Sequence, residues 1–89
     1  MNTKLVKHVW SELLTLWETK TEDVVDSKDI YDNLLRRGVK IPNGAMKEVF
    51  SYLRRRGYIR YLEPMVDTEE TDGAVLVSWI NSNVAASKI

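Results

Sequence analysis

The chain contains no cysteine, so neither a disulfide framework nor a thiolate metal site can hold it together. Its single histidine, His8, cannot build a zinc site unless several carboxylates converge on it, and no metal or cofactor is expected. Long apolar runs are also missing. Lys7, His8, Ser11 and Glu12 interrupt the apolar residues near the N-terminus, leaving no run of signal-peptide type, and nothing approaches the roughly 18 apolar residues of a membrane span. A cytoplasmic protein that begins near Met1 is the expectation. Catalysis lacks its parts as well: there is no Cys nucleophile, no Ser-His-acid grouping with workable spacing, no Gly-rich phosphate loop, and His8 falls on the polar side of its helix. No enzymatic activity is expected from such a chain.

What remains is still a folding sequence. Hydrophobic residues make up 44% of 89 residues, with three Trp and four Tyr, enough for one packed domain and too many for a disordered basic tail. Leu5, Val6, Val9, Trp10, Leu13, Leu14, Leu16 and Trp17 recur at helical spacing and predict helix 1 over about 3–19; their arc spans half the circumference, wider than a helix on a small core requires. Val24 and Val25 can form a very short strand. Asp26 or Ser27 then caps helix 2, about 27–37, whose buried stripe is Ile30, Leu34 and Leu35 and whose stop is Gly38. Pro42 and Asn43 open helix 3, about 43–56, with Asn43 as its cap; Met46, Val49, Phe50 and Leu53 form its buried stripe and Gly57 ends it. Tyr58 to Glu63 and Ala74 to Ile80 are rich in β-branched and aromatic residues and predict two antiparallel strands. The acidic connection between them, Pro64 to Gly73, is long for a hairpin and its tip is expected to be mobile. Residues 81–89 show no apolar face and are expected to form a flexible tail.

The net charge is zero, yet the charges are sorted along the chain. Arg36, Arg37, Lys40, Lys47, Arg54, Arg55, Arg56 and Arg60 face only Glu48 within residues 36–60. Acids flank this block, with Glu22, Asp23, Asp26, Asp29 and Asp32 before it and Glu63, Asp67, Glu69, Glu70 and Asp72 after it. Such sorting predicts a bipolar surface field and an anionic partner for the basic block. Part of the block has a structural explanation: Arg54 to Arg56 at a helix C-terminus complement the helix dipole, and the chain's own acids can pair with them.

The order helix, short strand, helix, tight turn, helix and hairpin, together with the stretch SKDIYDNLLRRGVKIPNGAMKEVFSYLRRRGYIRYLE at residues 27–63, resembles the winged helix-turn-helix family. The resemblance covers roughly Lys4 to Ile80 and rests on a capped helix with an Ile-Tyr pair, a Gly turn, and an L-x-x-x-G-Y-I passage from helix 3 into the wing. It implies an α+β fold, mostly α, of three helices plus a two-stranded wing over residues 1–80, with helix 3 in the DNA major groove and helix 2 braced across the backbone. On a helical wheel the face opposite the buried stripe carries Gly44, Lys47, Glu48, Ser51 and Arg55, with Arg54 beside Lys47 and Asn43 at the helix start. Arg and Lys can donate to guanine and Glu48 can accept from cytosine, whereas Arg36, Arg37 and Lys40 suit phosphates, which position without specifying sequence.

The expected function is therefore sequence-specific binding of double-stranded DNA by a small dimeric transcriptional regulator that occupies an operator, of a size that suits a viral or plasmid genome. Val6, Trp10, Leu13, Leu14 and Trp17 are the candidate dimer interface, because their arc exceeds what helices 2 and 3 can cover and Trp is enriched at interfaces. A two-fold axis would present two copies of helix 3 to half-sites one helical turn apart. The acidic wing departs from the family's usual basic wing and leaves an alternative: a winged-helix module that docks onto a larger protein assembly without binding DNA.

Overall fold

The computed structural model describes residues 2–62 and 74–89; the expected acidic wing tip, with Glu63, Asp67, Glu69, Glu70 and Asp72, lies outside the described residues. Three helices and a three-stranded antiparallel sheet make an α+β fold.

Helix α1 spans Thr3–Thr19 and is started by Asn2, whose side-chain oxygen accepts from the Lys4 and Leu5 amides at 3.0 and 3.2 Å. A two-residue strand β1, Val25–Asp26, leads directly into helix α2, Ser27–Arg36. Asp26 serves both elements. It pairs with Leu76 in the sheet, and its carboxylate accepts from the Lys28 amide at 2.9 Å to cap α2. Ser27 welds the junction to the sheet: its amide donates to the Val75 carbonyl and its hydroxyl accepts from the Val75 amide. Gly38 ends α2 as anticipated, at φ +80, so that its own amide and that of Val39 turn back onto the Leu35 and Leu34 carbonyls.

Helix α3, Ala45–Arg55, begins two residues later than its sequence suggests, and Asn43 is not its cap. The reason is a tight turn. The Ala45 amide bonds the Pro42 carbonyl at 3.0 Å, Gly44 takes φ +79 at the third position, and Gly44 is itself the N-cap. Strands β2, Ile59–Leu62, and β3, Leu76–Ile80, follow, and the sheet order is β1, β3, β2. The two-stranded wing anticipated from sequence is thus extended by β1 on the far side of β3. Between Arg60 and Tyr61 the register slips so that Ser78 has no partner on β2. This bulge matters for the core: Val77 and Ile80 are three residues apart and strict alternation would point them to opposite faces, yet both are buried.

The core lies between the sheet's inner residues Val25, Ile59, Val77 and Ile80 and the stripes of all three helices, including Val9, Trp10 and Leu13 of α1, Ile30 and Leu34 of α2, and Val49, Phe50 and Leu53 of α3. Residues 81–89 do not behave as the expected tail. They cross α1, where Val84, Ala86 and Ile89 pack against the core, a short 3-10 turn forms at Ala86–Lys88, and the Trp10 indole N–H donates to the Val84 carbonyl at 3.0 Å.

Candidate nucleic-acid interface

Burial of Val49, Phe50 and Leu53 fixes the rotation of α3, so Lys47, Ser51, Arg54 and Arg55, at spacings of four, seven and eight, share its outward side. Lys47, Glu48, Arg54 and Arg55 are exposed and Ser51 is half-buried. At the start of α3 this stripe opens into a groove of about 370 Å³ between α2 and α3. Its polar wall carries Lys28, Tyr31 and Asp32 from α2 and Asn43 and Lys47 from the turn and α3, over a floor that includes Ile41 and Met46. Met46, expected in the buried stripe, is only half-buried because it faces this groove. Gly44 lines it as well, and no atom lies within 4 Å of where a Cβ would stand; the glycine there is required by its positive φ rather than by lack of space.

The basic block does not assemble into one patch. Arg36 and Arg37 sit at the opposite end of α2 from Lys28, about 12 to 14 Å along the axis at 1.5 Å per residue. There they belong to a network with α1. The Arg37 guanidinium donates to Glu12 Oε2 at 2.6 Å, the Asn33 amide donates to Glu12 Oε1 at 2.9 Å, and Arg36 donates to Asn33 Oδ1. Glu12 is largely buried, so Arg37 serves as the counter-ion of a covered carboxylate. The structure thus gives Arg37, expected as a phosphate contact, an internal partner, while its side chain stays 53% exposed. Lys40 is exposed on the connection between α2 and α3.

Three guanidiniums lie over aromatic rings. Arg54 is 4.7 Å from the Tyr61 ring centre, Arg56 is 5.9 Å from Tyr58, and Arg60 is 5.5 Å from Trp79. The Tyr58 hydroxyl, first through a side-chain hydrogen bond, also raises the Arg56 pKa above its ordinary value. The Arg54 and Arg60 stacks each contribute on the order of 0.5 to 1 kcal/mol. A stacked guanidinium also has fewer rotamers to lose when an anion arrives, so Arg54 is pre-organised at the end of the α3 stripe.

The expected dimer interface is mostly interior. Val6, Trp10 and Leu13 are buried within the protomer, and Leu14 and Trp17 are partly covered and packed against the core. The wide apolar arc of α1 is matched by a cover the sequence did not reveal, the C-terminal segment through Val84, Ala86 and Ile89. Lys28 and Tyr31 were not singled out from sequence as interface residues. Lys28 and Tyr31 follow the Asp26 cap by two and five residues, and their place on the α3 side of α2 follows from the helical phase once Ile30 and Leu34 are taken as buried.

Among the described residues no helix is long and apolar enough to cross a membrane. No protein-family model matches the chain, and neither a curated protein nor a solved structure matches it.

Proposed function

We propose that this chain is a winged helix-turn-helix protein that binds double-stranded DNA sequence-specifically, with α3 in the major groove, and regulates transcription by occupying an operator. The element order and the sheet order β1, β3, β2 are consistent with that layout. One observation carries the reading: the outward face of α3, with Lys47, Arg54 and Arg55 against the single acid Glu48, leads into a groove lined by Lys28, Tyr31, Asp32 and Asn43 at the junction with α2. A helix presenting its first turns to base edges, flanked by donors for the neighbouring backbone, is the arrangement that helix-turn-helix readers use. Lys47 and Arg55 are the base-reading candidates and Lys28 and Lys40 the phosphate contacts.

Salt dependence tests this directly. If Lys28 and Lys40 each neutralise a phosphate, log K against log salt should slope by about −1.8, and by about −3.6 if Lys47 and Arg55 also displace condensed cations. A flat response, or no binding to any duplex at about 50 mM salt, where phosphate contacts are strongest, would favour the protein-docking alternative. Selection of bound sequences from a random duplex pool, repeated with Lys47→Ala and Arg55→Ala, then tests reading: each lost bidentate contact should remove about 1 to 3 kcal/mol of discrimination at one position.

A further inference from the structure

The outer face of the sheet carries a surface that α3 does not use. Trp79 lies on β3, the central strand, and remains 43% exposed. Its cross-strand partner on β2 is Arg60, whose guanidinium is 5.5 Å from the indole centre. Two residues further along β2, about 6.6 to 6.8 Å away, Leu62 is 56% exposed opposite the half-buried Leu76. None of these side chains belongs to the inner layer of Ile59, Val77 and Ile80, which the bulge at Ser78 holds toward the core.

The composition of this patch selects among partners. Two side chains of this size, half exposed, offer on the order of 200 Å², against about 800 Å² per partner in a stable protein interface; a second copy of the chain is too large an occupant for so small a seat. An aromatic face beside a guanidinium is complementary to a planar π system joined to an anion, which is a nucleotide: the base stacks on the ring and the phosphate meets the cation. In a duplex the base faces are hidden by their neighbours, so only an unpaired strand can use this face, with Leu62 as the apolar seat for an adjacent base.

We propose that the outer sheet face, through Trp79, Arg60 and Leu62, binds an unpaired DNA strand by base stacking. This rests on the nucleic-acid reading of α3 for the class of partner, but it uses different residues and can fail separately.

The test uses the full chain and two probes, a (dT)12 oligonucleotide and a blunt duplex. Trp79→Thr removes the ring and keeps a strand-forming residue; circular dichroism checks that it folds. Its (dT)12 affinity should fall at least about five-fold, the low end of what one stacked base contributes, with duplex affinity unchanged, and Trp79→Phe should recover part of the loss. Wild-type tryptophan emission should be quenched by (dT)12 and the quenching lost in Trp79→Thr, because Trp10 is buried, Trp17 is half-buried and Trp79 is the most exposed of the three rings. The double variant Lys47→Ala, Arg55→Ala should lose duplex affinity and keep the (dT)12 quenching. Unchanged (dT)12 affinity in Trp79→Thr, a wild type that ignores (dT)12, or binding of oligo(U) but not (dT)12 would overturn the proposal while leaving the duplex reading intact. Loss of self-association in Trp79→Thr with (dT)12 affinity unchanged would reassign the patch to a protein contact and also overturn it. Duplex binding that survives the double variant would instead remove α3 from its proposed role.

Discussion

Arg37→Ala should destabilise the protein by about 2 kcal/mol and leave the proposed salt-dependent affinity for DNA alone. The two partners of the Arg37 and Glu12 pair are unequally covered, with side-chain exposures of 53% and 11% at a separation of 2.6 Å. Fully exposed pairs contribute about 0 to 1 kcal/mol, whereas stripping the partner from a buried charge costs about 3 to 5 kcal/mol. In Arg37→Ala the charge left behind is the covered one, which among the described residues keeps the Asn33 amide as its donor; screening of the half-exposed arginine brings the cost below the buried limit. Glu12→Gln reverses the situation. The arginine it releases can return to water and Gln can still accept from Asn33, so about 1 kcal/mol is expected. For a domain of this size each kcal/mol moves the midpoint by about 4 to 8 °C, so Arg37→Ala should melt about 8 to 16 °C below the wild type and Glu12→Gln about half as far. Thermal unfolding and salt-titrated duplex binding on the same samples decide the matter. If Arg37→Ala melts with the wild type while flattening the salt slope by about one unit, the cation is a phosphate anchor and its structural assignment is wrong.

Gly57→Ala should cost about 1 kcal/mol through backbone strain alone, since φ is +76 with open space around the added methyl; Gly57→Asn should cost less, and denaturant midpoints with unchanged m-values would show it. Trp10→Phe removes the bond to the Val84 carbonyl at 3.0 Å and should lower stability by about 1 to 2 kcal/mol. Amide exchange at Lys88 and Ile89 should accelerate at the same time, and undiminished protection there would mean that the segment is not held through Trp10. Lys28→Ala should weaken binding to all duplex sequences alike and flatten the salt slope by about one unit, with the melting point unmoved; a change confined to one sequence would make Lys28 a base reader instead.

The helix ends that were legible in the sequence were those decided by local chemistry. A cap at Asp26 or Ser27 was marked by the apolar-periodic run that follows, and the structure assigns it to Asp26; Gly38 and Gly57 end their helices because only glycine takes their φ of +80 and +76 without strain. Asn43 misled for a related reason: Pro42, Asn43 and Gly44 fit both an Asn cap and a tight turn, and the turn leaves Gly44, not Asn43, at the first-turn boundary. β1 was visible only as the pair Val24 and Val25, one residue before the observed Val25–Asp26, because two residues carry no periodicity and its identity as a strand depends on Leu76 and Val77 far along the chain. The C-terminal segment escaped for the same cause. Val84, Ala86 and Ile89 form no regular face of their own, and the group that fixes them is an indole N–H 74 residues away.

Charge shows the same division between local and distant causes, with consequences for the site. Along the chain the basic block is continuous, so its simplest interpretation is one cationic surface. In space, α2 separates its members: Arg37 at the C-terminal end finds Glu12, a partner 25 residues upstream, while Lys47 faces the groove at the other end. The helical phase of α3 then sorts the remainder, since a buried stripe of Val49, Phe50 and Leu53 leaves Lys47, Arg54 and Arg55 outward. Arg60 is removed from that face by one more step, because strand alternation turns it to the outer sheet surface beside Trp79. A run of like charge in sequence is therefore split by secondary structure into separate surfaces, here the outward face of α3 with the groove at its start, and the outer sheet face where Arg60 lies beside Trp79.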